Sequence, residues 1–443
     1  MNALFEGLRE LRRYPSAMAG LVVIVGFVAM ALYAVLAIPY GTALELWRGG
    51  DHWRQHPINA RPSWTNWFRA EDLPTTLRVA ADDANAVVSQ FEGATLRTVA
   101  IDLDYEYRTF PSELNLFVEA RYESLQPFVR LTWKTPDGRA IPLGARRIER
   151  NERISISQDQ ALERRLGLVP QVGLLADPAS EGAPRALPGR YRIELEAVLF
   201  EPDSTVSATL VSYGRVHGMA GTDHQRRDLM VALLWGTPIA LAFGLIAAIG
   251  TTLATLVIAA AGVWFGGWLD SLIQRITEVN MILPVLPILV MVGTLYSTSI
   301  WIMLGVVVTF GVFSGSIKMY RAMLLPIREA AYIEAARVYG ASNTRMILRY
   351  MIPRVLPVLI PSFVTLVPGF VFLEASLAVL GLGDPQLPTW GKIMNDAQTE
   401  SALYNGYYYW VLSPATLLML TGLGFAMLGF ALDRVFNPRL RAI

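Results

Sequence analysis

The stretch REAAYIEAARVYGASNTRMILRYMIP, residues 328–353, lies between two long apolar blocks and carries Arg328, Arg337, Arg345 and Arg349. Basic loops beside membrane segments stay on the cytoplasmic side, so this is expected to be an inner loop of a polytopic membrane protein. Alanine dominates its first half, and Tyr332, Ala335, Ala336 and Tyr339 fall on one face at helical spacing. Gly340 suits the position that ends a helix. Ser342 or Asn343 can cap a second helix running to Pro353, where a missing amide and a ring clash favour a kink. The expected unit is helix, turn, helix. Small side chains, Ala341 among them, would let a partner's surface approach closely, while Arg328, Glu329, Glu334 and Arg337 would fix its orientation. The bland alternative is an amphipathic connector with no partner.

The blocks on either side set the span count, because roughly twenty apolar residues cross a bilayer. Residues 279–317 are uncharged and too long for one helix, and Tyr296-Ser297-Thr298-Ser299 is the expected break. Downstream, Val355 to Leu380 carries Pro357, Pro361 and Pro368 and is expected to kink. Tyr409 to Leu432 is the last span, Leu229 to Leu269 a long or tilted one, and 17–38 the first, behind Arg9, Arg12 and Arg13. That first run exceeds a signal-peptide core and lacks a clear cleavage site. The fold expected is mainly α, a polytopic membrane protein of about six transmembrane helices. Its parts are a cytoplasmic N-terminus 1–16, helix 1 at 17–38, a five-helix core 221–432 with the inner loop 318–354, and a cytoplasmic C-terminus 433–443. Glu278, near a span end, is expected to reach water or pair with Arg275. Glu374, within a span, could line a path or brace a neighbouring helix.

Between the first two spans, residues 45–215 change character: charges are frequent and no run is long enough to cross. Tyr191, Ile193, Leu195, Ala197 and Leu199 alternate with Arg192, Glu194 and Glu196, a strand with one face inward. Similar alternation near 98–107, 116–122, 129–133, 141–143, 153–157 and 206–212 gives about seven strands, enough for an inserted, sandwich-like extracytoplasmic domain. Residues 158–166 suit one short helix. Trp47, Trp53, Trp64 and Trp67 are expected as interfacial anchors. His52 and His56 lie four apart, but no carboxylate completes a ligand set, so no metal site is expected.

Composition excludes several classes. The chain has 443 residues, 53% hydrophobic, with a formal net charge of +1, which gives no reason to expect nucleic acid as a partner. It has no cysteine, hence no disulfide and no thiolate metal site. Its three lysines, Lys134, Lys318 and Lys392, stand in no phosphate-binding G-x-x-x-x-G-K-[ST] string. The chain is therefore expected to be non-catalytic and without a cofactor of its own; if ATP drives the process, the ATP and Mg belong to another polypeptide.

Four strings resemble the permease subunits of ABC importers. Glu334, Ala335, Ala336, Gly340 and Pro353 match the spacing of that family's EAA loop, with Tyr350 and Ile352 for the usual Ile and Leu. GTDHQRRD, residues 221–228, resembles the G-T-D-x-x-G-R-D string of dipeptide and oligopeptide (and nickel) importers. Gly221, Thr222, Asp223, Arg227 and Asp228 are in place, but Arg226 stands for the glycine. Glu374, Gly381, Gly383, Trp390 and Gly391 fit the E-x-x-L-S-F-L-G-L-G string and the Pro-x-x-Trp-Gly after it. The terminal 437–441 string NPRLR is close to D-P-R-L-R.

The resemblance is to the C-type of the two unlike permeases of peptide importers, with an ectodomain larger than that family usually carries between its first helices. It implies a heterodimer with a second permease, two ABC ATPase subunits inside, an external solute-binding protein, and a place in the cytoplasmic membrane with both termini inside. The EAA loop would carry ATPase motion into the lipid bilayer. Two other classes are conceivable: an ion-coupled secondary transporter, which would need midplane ion sites, and a sensor or adhesion protein anchored beneath its β-rich domain.

Overall fold

The computed structural model describes residues 14–81, 86–91, 94–180 and 182–436. The basic N-terminal stretch 1–13 and the 437–443 tail lie outside the described residues. The chain divides into two compact units: Gly49–Met230, and the segments on either side of it taken together.

Helix α1, Pro15–Ala37, opens on a proline, whose fixed φ suits a first helical turn. The amphipathic α2, Tyr40–Arg48, buries Ala43 and Trp47. The second unit then builds two antiparallel sheets from β1 (Leu77–Ala80), β2 (Val87–Phe91), β3 (Ala94–Tyr105), β4 (Glu113–Arg121), β5 (Phe128–Lys134), β6 (Ala140–Arg147), β7 (Asn151–Ser155), β8 (Gly189–Leu199) and β9 (Thr205–Tyr213). Their orders are β1-β9-β4-β7 and β2-β3-β8-β5-β6. Period-two alternation gives each sheet one apolar face: Ile101 and Leu103, Leu116 and Val118, Leu131 and Trp133, Ile193 and Leu195 share one core. The β-rich insert expected from alternation is present. Seven strands were expected and nine are found among the described residues; the additional two, β1 and β2, are sheet edges, and β2 leaves Val87 and Val88 exposed. The short helix α3, Gln160–Leu166, starts at Asp159, whose Oδ1 accepts from the amides of Ala161 and Leu162, and stops at Gly167.

The remaining helices are mostly apolar. Helix α4, Leu229–Phe265, ends at Gly266 and Gly267, both with positive φ, which turn the chain into α5, Gly267–Ile282. Then come α6 (Val285–Leu295), α7 (Ile300–Val312), α8 (Ser316–Arg328), α9 (Ala331–Val338), α10 (Asn343–Leu382), α11 (Trp390–Thr399) and α12 (Tyr408–Phe436). Four helices, α1, α4, α10 and α12, are long and apolar enough to cross a membrane. The number rises to six if the pairs α5 with α6, bent by 79°, and α7 with α8, bent by 47°, each form one span.

Three features differ from the sequence reading. The chain also breaks at Leu283-Pro284, where Pro284, the cap of the next helix, keeps Leu283 before it out of the helical region. Pro353 does not end its helix: Met346–Met351 forms a wider π turn just before it, and the α-helix resumes over Ile352–Leu377, running on through Pro357, Pro361 and Pro368. Between the spans expected at Val355 to Leu380 and Tyr409 to Leu432 lies α11, which the sequence did not lead us to expect, capped by the hydroxyl of Thr389, which accepts from the Lys392 amide.

Candidate functional site

The 328–353 loop is held by its own small core. Ala330 is extended and separates α8 from α9. From α9, Ile333 and Ala336, one helical turn apart, point inward among Val263, Trp264, Leu324, Met346 and Met351. Tyr332, Glu334, Ala335 and Arg337 are exposed, as are Val338 and Tyr339, the latter at 90%. The expected single contact face is thus corrected: Ala336 packs inside, because an eight-residue helix must bury one stripe to stay seated, while Tyr332, Ala335 and Tyr339 face out. Two backbone bonds close the turn, Gly340 N to Arg337 O at 3.0 Å and Ala341 N to Ala336 O at 3.1 Å. This is the paired cap that requires a left-handed residue, and Gly340 has φ +76°. Ser342 then caps the next helix, accepting from Arg345 N at 3.4 Å.

One residue that sequence reasoning passed over ties this loop down. Trp264, in the last turn of α4, donates from Nε1 to Asn343 Oδ1 at 3.1 Å, and the Arg337 guanidinium lies 5.0 Å from its ring centre. Arg337, expected to face a partner, therefore also fastens the loop. Arg354 lies 5.8 Å from the Tyr332 ring, and Arg328 pairs with Glu329 at 3.7 Å. Pro353 is exposed and Ala341 half-buried. Behind the loop, Arg321 of α8 grips Asp270 of α5 through Nε and Nη2, at 2.9 and 2.7 Å. Glu278 pairs with Lys318 at 3.5 Å and not with Arg275; α8 is the helix that packs on α5 there.

The 221–228 string is a tight loop within the Gly49–Met230 unit. Thr222 is buried; its hydroxyl donates to Pro57 O at 2.8 Å and accepts from Ala60 N at 2.9 Å. Asp223 is fully buried and accepts from the amides of Gln225 and Arg227 and from Arg227 Nε, at 2.9, 2.8 and 2.5 Å. Gly221, at φ +80°, accepts at its carbonyl from Leu229 N, and Asp228 Oδ1 accepts from Met230 N. Arg226 has φ +67°, the region that glycine takes without steric cost. It is retained by Nη2 donation to Glu113 at 2.7 Å, Nη1 donation to His56 O at 2.6 Å, and the Tyr213 ring 4.6 Å away.

His56 shares no site with His52; its ring packs at a tilt against that of His217, the centres 4.4 Å apart. Burial first, then the charge of His217 and of Arg78, pushes its pKa down to about 4. Burial also lowers His217, against Asp228, and raises Asp223 and Asp228. No cluster of three metal-ligating side chains exists among the described residues. Trp47 and Trp53 are buried, contrary to a role as interfacial anchors, whereas Trp64 and Trp67 are exposed.

The third string packs inward. Glu374 is buried and hydrogen-bonded to the Thr389 side chain. Trp390 Nε1 donates to Leu233 O at 2.9 Å, its ring lies 5.9 Å from Phe27, and it covers Gly236 of α4. Gly391 and Gly383 lie against Ala378, and Gly381 has φ +83°. Small residues on three helices thus allow backbone-to-backbone approach.

Several apolar helices, a capped loop at 328–353 and an inserted β-rich unit are those of a polytopic membrane protein. Residues 240–442 match the family described as binding-protein-dependent transport system inner membrane component. The glutathione transport system permease protein GsiD of Pectobacterium atrosepticum is 30% identical over 230 residues, 50% of this chain and 73% of that protein. The dipeptide transport system permease protein DppC of Bacillus subtilis is 28% identical over 222 residues, 50% and 68% of the two chains. The peptidoglycan transport system permease protein YejE of Agrobacterium fabrum is 30% identical over 220 residues, 49% and 56%. The chain belongs to this family. It is a permease subunit of an ABC importer, an integral inner-membrane transport component rather than a catalytic one. Membership implies ATPase and solute-binding partners.

Proposed function

We propose that this chain is one of two unlike permeases of an importer for peptides or similar small solutes. It crosses the membrane six times, the β-rich unit lies outside and both termini inside, and two ATPase subunits dock on the α9 turn. The observation that carries the docking is the exposed apolar tip, Tyr332, Val338 and Tyr339, on a loop whose other side is fixed to Trp264. A tip that is rigid beneath and apolar above transmits displacement instead of absorbing it. ATP binding, which favours closed ATPase subunits, would displace this loop and the α8 that leads into it, and α5 would follow through the Arg321 to Asp270 grip. Glu374, enclosed by Thr389, braces α10 against α11 in this reading, and the path lies on faces shared with the second permease. The 221–228 loop, carrying Asp223 and Arg227, stiffens the outer entrance.

Co-purification from native membranes tests the reading, comparing wild type with Gly340→Asp and Glu334→Lys. Wild type should bring down two ATP-binding subunits and a second permease, and both variants should lose the ATPases while keeping the permease. Variants that retain the ATPases would remove the α9 turn as their dock. Peptide-stimulated ATP hydrolysis by the reconstituted assembly tests the substrate class.

A further inference from the structure

The β-rich unit carries one exposed aromatic surface outside its core. The helical turns at Ser63–Phe68 hold Trp67 83% and Phe68 81% exposed, with Trp64 and Met219 exposed beside them. These rings do not hang from a loose loop. Asn66 bonds both the carbonyl and the amide of Leu73, at 3.0 and 3.2 Å, and Trp64 and Phe68 meet edge to face at 6.4 Å. Trp64 Nε1 donates to Met219 O at 3.0 Å and Ser63 N to Gly218 O at 2.8 Å, so two distant segments make one surface.

The same two segments run side by side into the base of a membrane helix. Arg61 N donates to Arg215 O, His217 N to Arg61 O and Thr222 N to Ala60 O. Gly221, two residues from Met219 and hence at most about 7 Å away, accepts from Leu229 N, and Leu229 is the first residue of the 37-residue apolar α4. We infer that Trp64, Trp67, Phe68 and Met219 form a docking surface for the lipid headgroup layer near the point where the chain enters α4. Indole rings favour that layer, where an apolar body and a polar N–H are both accommodated. A protein partner of the same unit is the competing occupant; the Gly221 to Leu229 bond, which sets the surface close to the first residue of α4, favours the membrane.

The chain has no cysteine, so a single one can carry a nitroxide. Full-length Trp67→Cys and Phe68→Cys, spin-labelled in liposomes of phosphatidylethanolamine and phosphatidylglycerol, are compared with Leu36→Cys on the exposed face of α1 and Val87→Cys on β2. The ratio of collisions with oxygen to collisions with a water-soluble nickel chelate is read for each. The expected ratio at 67 and 68 is several-fold above that at 87, approaching that at 36. Each site is a surface position, and an unchanged proteolytic pattern confirms that the variants fold. Ratios equal to that at 87 overturn the inference. So does shielding that appears only when a solute-binding protein is added, which would assign the surface to that protein.

Discussion

Arg226 donates to Glu113 across 2.7 Å although 113 positions separate them, and Arg153 approaches the same carboxylate at 3.5 Å. The pair is mostly shielded, the side chains 10% and 19% exposed. An arginine at φ +67° carries a cost of roughly 1 kcal/mol that glycine would not. The ion pair more than offsets it, since stranding one partner of a buried pair costs about 3 to 5 kcal/mol and a partly exposed one less. Arg226→Ala should therefore destabilise the β-rich unit by about 2 to 3 kcal/mol in urea unfolding of the full chain in detergent. Arg226→Gly should lose about 1 kcal/mol less, because it recovers the backbone term. Equal losses for the two would show that backbone strain plays no part.

Trp264 is expected to govern whether the inner loop stays seated. Trp264→Phe removes only the hydrogen bond to Asn343, about 1 kcal/mol. Trp264→Ala also leaves a void beside Ile333 and Leu324 and removes the stack on Arg337, roughly 3 to 5 kcal/mol. The measurement is limited proteolysis at Arg337 and Arg345. Cleavage should be slightly faster in the first variant and much faster in the second; equal rates in all three proteins would mean the loop is held elsewhere.

Much of this was legible in the sequence, for reasons that differ by element. The β8 strand and the second half of β3 announce themselves because each buries every second residue, and α9 with Gly340 because one glycine ends an alanine-rich helix. Edge strand β2 gave no such signal, since Val87 and Val88 are adjacent and both exposed. Helix α11 escaped because its polar face, with Lys392 and Asp396 paired at 2.8 Å, reads as loop composition. The role of Trp264 depends on Asn343, 79 positions away, and no local pattern reveals such a partner. Arg226 was visible as a departure from the family string; the φ that explains it was not.

Acid should loosen the β-rich unit through His56. Its folded pKa, about 4, lies below the usual 6.5, so the fold favours the neutral ring. That contribution is complete above pH 6.5 and is lost as pH falls toward 4. The ring is only partly buried, so about 1 to 2 kcal/mol is at stake. His217, also lowered, adds to the loss, and Arg78 is the fixed charge facing both. Asp223 and Asp228, raised by burial, act in the opposite sense and soften the effect. His56→Gln should flatten the dependence of the urea midpoint between pH 6.5 and 4. An unchanged slope would assign the acid sensitivity to other groups.

Glycine at position 391 is expected to be irreplaceable, whereas glycine at 369 is not. A Cβ on Gly391 would lie 2.6 Å from Ala378 Cβ and 2.8 Å from the Ala375 backbone, and neither neighbour has a flexible end that can move aside. Gly391→Ala must therefore push α11 away from α10, an overpacking cost of about 1 to 3 kcal/mol. The shift would also disturb Trp390 over Gly236 and the Thr389 bond to Glu374. A Cβ on Gly369 meets nothing within 4 Å inside the chain, and alanine is the better helix former by about 1 kcal/mol. In thermal unfolding of the detergent-solubilised chain, Gly391→Ala should lower the midpoint by several degrees and Gly369→Ala should leave it level or raise it. If both variants melt like wild type, the close approach of α10 and α11 is not what holds the third string in place.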